Sequence, residues 1–275
     1  MVENKKQTKL TWLNHKALPR LLRESHQRTM ASHHAHECPS DTFKTQCSVC
    51  NLGELCLTCG LNPQEIDKVD KMVQLRKRLK RGERLYHAGE KFDSIYAVRS
   101  GFFKTGVLLE DGRDQVTGFQ MAGELLGLDG IGTEHYVSNA TALEDSEVCV
   151  IGFQHFEYLS REIPSLQKYF HKVMSREIAR DHSVMMLLGS MRAEERLAAF
   201  LLNLSQRFTA RGYSHNEFNL RMTREEIGSY LGLKLETVSR AFSRFQETGL
   251  INVQQKYIHI LDVEGLKKTL SHSTH

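Results

Sequence analysis

The chain has 275 residues, 40% of them hydrophobic and 25% charged, an ordinary globular composition with enough length for two domains. Its formal net charge is +4, so it is mildly basic and lacks a polybasic tail. No apolar run reaches the roughly 18 residues of a membrane span, and the polar start MVENKKQTKL differs from a signal peptide, which predicts a cytoplasmic protein without a membrane partner.

Residues 1–45 are polar, rich in His and Lys, and show no periodicity. Such a segment cannot bury enough apolar surface to fold alone, so we expect a disordered leader. Its stretch HHAHEC, with His33, His34, His36 and Cys38, could bind a stray metal ion. A solvated tail is the simpler interpretation, because nothing in the sequence fixes the geometry of these side chains.

Residues 46–62 form a cysteine-rich segment, QCSVCNLGELCLTCG and two further residues, with Cys47, Cys50, Cys56 and Cys59. Thiols in the cytoplasm stay reduced, so clustered cysteines there are more often metal-binding or redox-active than structural disulfides. If all four thiols bind one ion, the C-x2-C-x5-C-x2-C spacing forms a self-contained zinc site. Otherwise the segment needs a further ligand from elsewhere, or it acts as a thiol–disulfide switch.

The sequence of residues 63–160 predicts an antiparallel β-roll. Short alternating runs, among them SIYAVRSG, FFKTGVLLEDG, QVTGFQMAG and EVCVIGF, are separated by glycines at 82, 89, 101, 112 and 123. Short strands with evenly spaced turns are typical of such rolls, and EDGR has the composition of a hairpin turn. In EVCVI, Val148 and Val150 share one face, so Cys149 can face the cysteine-rich segment while the valines face the core.

Residues 161–191 contain a long helix that begins at Pro164. A heptad seam runs along it, with Phe170 on the same apolar flank, and its members are Met174, Ile178, Asp181, Met185 and Leu188. A seam of this length requires a partner helix, and a second copy of the chain is the simplest one. A core helix packed on the roll is the alternative, but an unpaired Asp181 carboxylate buried there would cost on the order of several kcal/mol. The pattern therefore favours a homodimer.

Residues 192–275 carry the pattern of a winged helix-turn-helix. Thr223 and Glu226 form a capping-box pattern at the start of one helix, which ends at Gly232. A second helix follows that buries Val238, Phe242 and Phe245, and LINVQQKYIHIL then predicts two strands around a polar tip. A small helical hairpin is the alternative for GLKLETVSR taken alone, but helix, turn, helix and wing in this order indicate binding to double-stranded DNA.

The second helix of such a unit lies in the major groove with its N-terminal residues at the base edges. The candidates for DNA contact are Glu236, Thr237, Ser239, Arg240 and Arg244. Arg240 can donate two hydrogen bonds to guanine and Glu236 can accept one from cytosine, each contact worth about 1–3 kcal/mol of discrimination. Thr237 and Arg244 are better placed for phosphates.

Together these elements predict an α+β fold with an N-terminal antiparallel β-roll of the cyclic-nucleotide-binding type, a dimerisation helix and a C-terminal winged helix-turn-helix. This layout resembles the cyclic-AMP receptor (CRP/FNR) superfamily, and the detailed motifs resemble its FNR/Anr branch of oxygen-responsive regulators. The matching stretches are CSVCNLGELC, YAVRSGFFKT, QVTGFQMAGELLGLDGIG, ALEDSEVC, AEERLAAFLLNLSQRF and MTREEIGSYLGLKLETVSR. The resemblance extends from residue 46 to residue 262.

The resemblance implies a [4Fe–4S] cluster, for which thiolates are suitable ligands. Its ligands would be Cys47, Cys50, Cys56 and Cys149, which leaves Cys38 and Cys59 as spare thiols. It further implies that the cluster, formed without oxygen, promotes homodimerisation and binding to a palindrome resembling TTGAT-N4-ATCAA in order to control anaerobic genes. RNA polymerase is then a further partner.

Members of the superfamily that bind cyclic AMP resemble one another in a Gly-Glu-Leu turn followed by an Arg and a Ser or Thr. This chain has Gly123, Glu124 and Leu125, but HYVSNATAL downstream contains no arginine. A cyclic phosphate would lack its charge-assisted hydrogen bonds, so no cyclic nucleotide is expected. The chain also lacks a nucleophile–base set, a P-loop and a dinucleotide motif, so an enzyme is not expected.

Overall fold

The computed structural model describes residues 47–109 and 112–270. The predicted disordered leader, with HHAHEC and Cys38, lies outside these residues, as do two residues of the predicted EDGR turn. Within the described part of the chain, no helix is both long enough and apolar enough to cross a membrane.

The described chain contains seven α-helices and eleven strands. The N-terminal part comprises a 3-10 helix (Cys47–Val49), α1 (Pro63–Met72), β1 (Val73–Leu79), β2 (Arg84–Tyr86), β3 (Ser94–Ser100), β4 (Phe102–Leu108), β5 (Asp114–Met121), β6 (Leu125–Leu126), a second 3-10 helix (Leu128–Gly130), β7 (Asn139–Ala142) and β8 (Ser146–Gly152). The C-terminal part comprises α2 (Phe153–Glu162), α3 (Pro164–Ser190), α4 (Ala193–Thr209), β9 (Glu217–Asn219), α5 (Arg224–Leu231), α6 (Leu235–Glu247), β10 (Ile251–Gln254), β11 (Tyr257–Ile260) and α7 (Val263–Thr269).

The predicted antiparallel roll is present as two four-stranded sheets. Their strand orders are β1-β8-β3-β6 and β2-β7-β4-β5, and their strand pairs are antiparallel. The five turn glycines at 82, 89, 101, 112 and 123 all have φ between 82° and 91°, a region that side chains with a Cβ disfavour. The predicted α+β fold class is therefore confirmed.

Helix α1 lies within the region for which the sequence pattern predicts strands. The Asn62 side chain accepts from the Glu65 N–H, and the Glu65 carboxylate accepts from the Asn62 N–H, both at 2.9 Å. Pro63 occupies the first turn, where its missing N–H costs nothing. The signal for this helix is thus present in the sequence as NPQE, a capping box with proline at the first helical position.

One apolar core joins the cysteine-rich segment to the roll and to the long helix. Leu57 is only 1% exposed, although it lies in a segment of turns. The other buried members of this core are Val69 and Met72 of α1, Ile95 and Ala97 of β3, Leu125, Ile151, Phe156 and Leu159 of α2, Ile163, and Leu166, Tyr169 and Val173 of α3. Full burial of a leucine stabilises by about 2 kcal/mol, so this contact holds the segment on the roll.

The winged helix-turn-helix is also confirmed. Thr223 Oγ1 accepts from the Glu226 N–H at 3.1 Å, and Gly232 ends α5 in the left-handed region with φ 62°. Strands β10 and β11 form the predicted wing, and β9 pairs with β11 as a third strand. The preceding helix α4 buries Leu197, Leu201 and other residues beneath this unit.

The helix-turn-helix unit packs directly on the roll of its own chain. Phe119 of β5 lies 5.2 Å from Tyr230 of α5, measured between ring centroids. Nearby, the Val116 N–H donates to Ser229 Oγ at 2.8 Å, and Lys104 pairs with Glu226 at 3.1 Å. Apolar residues of the second sheet and of the helix-turn-helix unit form one continuous core. Their contact therefore involves both apolar burial and charge pairs.

A partly buried charge cluster strengthens that contact. Glu124, in the turn between β5 and β6, pairs with Arg207 at 2.5 Å and with Arg211 of the segment after α4 at 2.7 Å. These arginines also donate to the carbonyls of Phe119 and Ala122, each at 2.6 Å. Burial raises the pKa of Glu124, but the two guanidinium charges outweigh burial and hold this pKa at about 2.

We predict that Glu124→Gln lowers the free energy of unfolding and weakens its pH dependence. The pKa of Glu124 falls on folding from 4.5 to about 2. The carboxylate therefore adds its full stabilisation above pH 4.5, and this stabilisation is lost as the pH falls to about 2. A shift of this size corresponds to about 3 kcal/mol. Urea unfolding followed by circular dichroism at neutral and acidic pH measures the effect.

Asp145→Asn is the matched control, because Asp145 pairs with Lys80 at 2.8 Å on the surface, where both side chains are more than half exposed. Exposed pairs contribute little to stability. Equal losses for the two variants would show that the Glu124 cluster contributes no more than a surface pair.

Candidate functional site

The cysteine-rich segment is a chain of tight turns over the outer face of the first sheet. The Cys50 N–H donates to the Cys47 carbonyl at 3.3 Å, the Cys56 N–H to the Leu52 carbonyl at 2.9 Å, and the Cys59 N–H to the Cys56 carbonyl at 3.0 Å. In β8, Val148 and Val150 pack inside the roll and Cys149 packs with the outer core. The alternation predicted for EVCVI therefore directs Cys149 toward the segment.

Four of the five cysteines in the described residues line one small pocket. Cys47, Cys50 and Cys56 line it from the segment and Cys149 from β8, whereas Cys59 is not among its lining residues. The remaining walls are Leu52, Leu57, Thr58, Val69, Val73, Ala97, Val98, Arg99 and Ile151. The structure thus brings together the four cysteines predicted as cluster ligands.

This pocket is small, with a volume of about 30 Å³, which leaves room for little more than a water molecule. Within the described chain, no group of three His, Cys, Asp or Glu side chains is arranged to hold a metal ion. The donor set is suitable for a thiolate-held cluster, but a multi-atom group requires the segment to move away from β8.

Burial disfavours the thiolate forms of Cys47, Cys56 and Cys149. It raises the pKa of Cys56 to about 12, and it also raises the pKa of Cys47, with the nearby Asp70 carboxylate adding to the effect. For Cys149, burial again raises the pKa, and the guanidinium of Arg76 opposes that rise. Since a metal binds the thiolate form, occupation of this pocket must release protons.

Helix α1 positions the first of these cysteines. The Cys47 N–H donates to Asp70 Oδ1 at 2.8 Å, although the two residues are 23 positions apart. Both Asp70 and Arg76 contact predicted ligands, and the sequence pattern identifies neither of them. The capping box of α1 would have indicated the helix that carries Asp70, but no local signal points to Arg76.

The predicted dimer seam on α3 is exposed in the middle and packed at its ends. Ile178 is 53% and Met185 60% exposed, and Asp181 between them is also exposed. Phe170 packs against Phe156 of α2, with ring centroids 4.6 Å apart, and Met174 is half-buried. Leu188 is 37% exposed and approaches Gly232 of the helix-turn-helix. The stripe available to a partner helix is therefore centred on Asp181.

The predicted DNA contacts differ in exposure along α6. Glu236, Arg240 and Arg244 are exposed, whereas Thr237 and Ser239 are half-buried. Arg244 pairs with Glu194 of α4 at 2.9 Å, so this cation is already in part neutralised within the chain. Of the five candidates, Glu236 and Arg240 are the residues of the first turns that lie open to solvent.

The Gly-Glu-Leu turn has a structural use in this chain. The Glu124 carboxylate is occupied by Arg207 and Arg211, so it is not free to accept hydrogen bonds from a ligand. Gly123, with φ 88°, lies against Leu55 of the cysteine-rich segment. That the chain binds no cyclic nucleotide stays a prediction.

Two family profiles match the chain. The profile of the Crp-like helix-turn-helix domain matches residues 195–269, and that of the cyclic nucleotide-binding domain matches residues 76–162. The first match covers α4 to α7 and the second covers most of the roll with α2.

Curated relatives match over most of their length. The transcriptional regulatory protein btr of Bordetella pertussis is 50% identical over 84% of this chain and 96% of its own. The transcriptional activator protein Anr of Pseudomonas protegens is 48% identical over 80% and 90%, and the fumarate and nitrate reduction regulatory protein of Escherichia coli K12 is 44% identical over 82% and 91%. Among solved structures, FixK2 from Bradyrhizobium japonicum has a TM-score of 0.67 at 27% identity, covering 73% of this chain and 98% of its own.

Proposed function

The chain belongs to the CRP/FNR family of transcription regulators, and from this we propose that it regulates transcription in response to oxygen. It is a DNA-binding regulator and not an enzyme. In the proposed active form two copies pair along α3 and bind a two-fold site resembling TTGAT-N4-ATCAA, one half-site for each subunit. The regulated genes are those of anaerobic growth, and the protein acts in the cytoplasm with RNA polymerase as a partner.

The observation that supports the oxygen response is the pocket shared by Cys47, Cys50, Cys56 and Cys149. These four residues would hold a [4Fe–4S] cluster, which when bound supplies sensitivity to oxygen. A local zinc site would use only cysteines of the segment. The proposed site also uses Cys149 of β8, so a bound cluster would fasten the segment to the roll. The pocket walls are almost entirely apolar, which limits access of water to the sulfur atoms.

The same contacts suggest how the cysteines influence dimerisation. The buried core beneath the segment includes Leu166, Tyr169 and Val173 at the start of α3, a few turns before the exposed stripe centred on Asp181. When the four cysteines attach the segment to β8, this core is held in one arrangement and α3 is supported at its base. When the attachment is lost, only apolar contacts such as that of Leu57 hold the segment on the roll, and the balance returns to the monomer.

We expect Cys47→Ser, Cys50→Ser, Cys56→Ser and Cys149→Ser each to abolish cluster binding and anaerobic activity, because a hydroxyl cannot replace a thiolate ligand. Cys59→Ser is the matched control and should retain both properties. Iron and sulfide analysis after anaerobic purification, together with the visible absorption spectrum, measures the outcome. A Cys149→Ser protein that keeps its metal while Cys59→Ser loses it would indicate a local four-cysteine zinc site instead.

For DNA, we expect Arg240→Ala to lose specificity at the G·C pair of each half-site, by about 1–3 kcal/mol. Glu236→Ala should relax discrimination at the same pair. Arg244→Ala is the comparison, since the loss of a phosphate contact weakens binding uniformly across sequences. Fluorescence anisotropy with the consensus site and with single-pair variants measures these effects. Equal loss of affinity by Arg240→Ala and Glu236→Ala on every sequence would contradict base readout by these residues.

At the dimer seam, we expect Asp181→Ala to dimerise and to bind DNA in air, even without an intact cluster. In a dimer the two Asp181 carboxylates approach each other, and their repulsion opposes the pairing of apolar residues such as Ile178 and Met185. Removal of the charge leaves only the attractive contacts. Sedimentation of the variant in aerobic buffer is the measurement, with Asp67→Ala, an exposed acid on α1, as the control. A monomeric Asp181→Ala protein would contradict the proposed balance.

A further inference from the structure

The outer face of the first sheet changes from apolar to charged at the position of Cys149. Ile151 of β8 is paired with Ile95 of β3, and both are buried. At the other end of this row, the Glu147 carboxylate pairs with Arg99 and, at 3.7 Å, with Arg78. Cys149 lies between these two regions, so its sulfur is at the border of a low-dielectric core and a polar surface.

Strand pairing fixes the two residues that flank Cys149. In the register of the sheet, Arg76 of β1 is its partner on one side and Ala97 of β3 on the other. Directly paired residues of antiparallel strands have side chains on the same face, with Cβ atoms about 5 Å apart. The small side chain of Ala97 leaves space beside the sulfur, and the guanidinium of Arg76 lies on its opposite flank. This arrangement belongs to the roll and does not depend on the cysteine-rich segment.

Arg76 differs from the other arginines of this face, Arg78 and Arg99, because it pairs with no acid in the described chain. Arg99 and Arg78 both form ion pairs with Glu147. Arg76 forms no ion pair within the part of the chain that the structure describes. Its Nε atom is buried and has no hydrogen-bond acceptor there. A buried N–H without an acceptor costs about 1–3 kcal/mol, and a further sulfur acceptor beside Cys149 would remove that cost.

We infer that Arg76 is a positioning residue for the cluster, one that donates a hydrogen bond to sulfur beside Cys149 and compensates its negative charge. The inference rests on the proposed function, since it names a role toward the same cluster. Thiolate and sulfide sulfurs accept hydrogen bonds, and such bonds, together with nearby charge, set the reduction potential of iron–sulfur clusters. A fixed positive charge stabilises the reduced cluster, which carries one more negative charge than the oxidised cluster. Arg76 therefore raises the reduction potential.

The test is the midpoint potential of the full chain after anaerobic reconstitution, measured by spectroelectrochemistry. Arg76→Gln should disfavour the reduced state by about tenfold, which for a one-electron couple is a shift of about 59 mV to lower potential. Arg76→Lys keeps the charge and should stay closer to the wild type than the Gln variant. Arg76→Met provides a second neutral variant, with a long apolar side chain suited to this half-buried position, should Arg76→Gln not fold.

Arg78→Gln is the matched control, because Arg78 lies two residues along on the same face of β1 but its side chain is 90% exposed. It should retain the wild-type potential. If the neutral Arg76 variants bind iron and sulfide in wild-type amounts and have the potential of Arg78→Gln, the inference is overturned while the proposed function stands. A wild-type chain that contains no iron and sulfide after reconstitution would instead overturn the proposed function.

Discussion

Burial of Leu57 is the contact on which the proposed sensor depends. This leucine comes from a segment of turns with little secondary structure, yet it is 1% exposed in a core that also contains residues of α1, β3, β8, α2 and α3. Because Cys56 precedes it directly, the position of the thiol follows from the burial of its neighbour. The segment can therefore lie close to Cys149 without any metal, and a bound group would need only to shift it and hold it there.

The turn between β5 and β6 lies between the cysteine-rich segment and the DNA-binding unit. A Cβ added at Gly123 would lie 2.8 Å from Leu55 Cβ, so only glycine allows the segment to pack this closely. The next residue, Glu124, binds Arg207 and Arg211 through partly buried ion pairs. One turn thus contacts both the segment that carries the cysteines and the chain that leads to the recognition helix.

The cysteine pocket combines two opposing electrostatic effects. Burial raises the pKa values of Cys47, Cys56 and Cys149 and so disfavours the thiolate form that a metal needs. Arg76 opposes burial at Cys149, and its buried Nε has no acceptor in the described chain. A bound group that replaces the thiol protons with metal cations would stabilise the thiolates, and its sulfur atoms would accept a hydrogen bond from Arg76. Apolar side chains in the same space would do neither.

Local sequence signals account for the roll strands and their turn glycines, the capped helix α5, the recognition helix α6, the wing and the exposed stripe on α3. These follow from periodicity, capping and turn chemistry, which act between residues close along the chain. Even α1 had a local signal in NPQE. Three contacts follow only from the three-dimensional packing: Arg76 flanks Cys149, Asp70 holds Cys47, and Glu124 binds arginines more than 80 residues away. Such partners are chosen by strand register and by the packing of distant elements, and no spacing along the sequence encodes them.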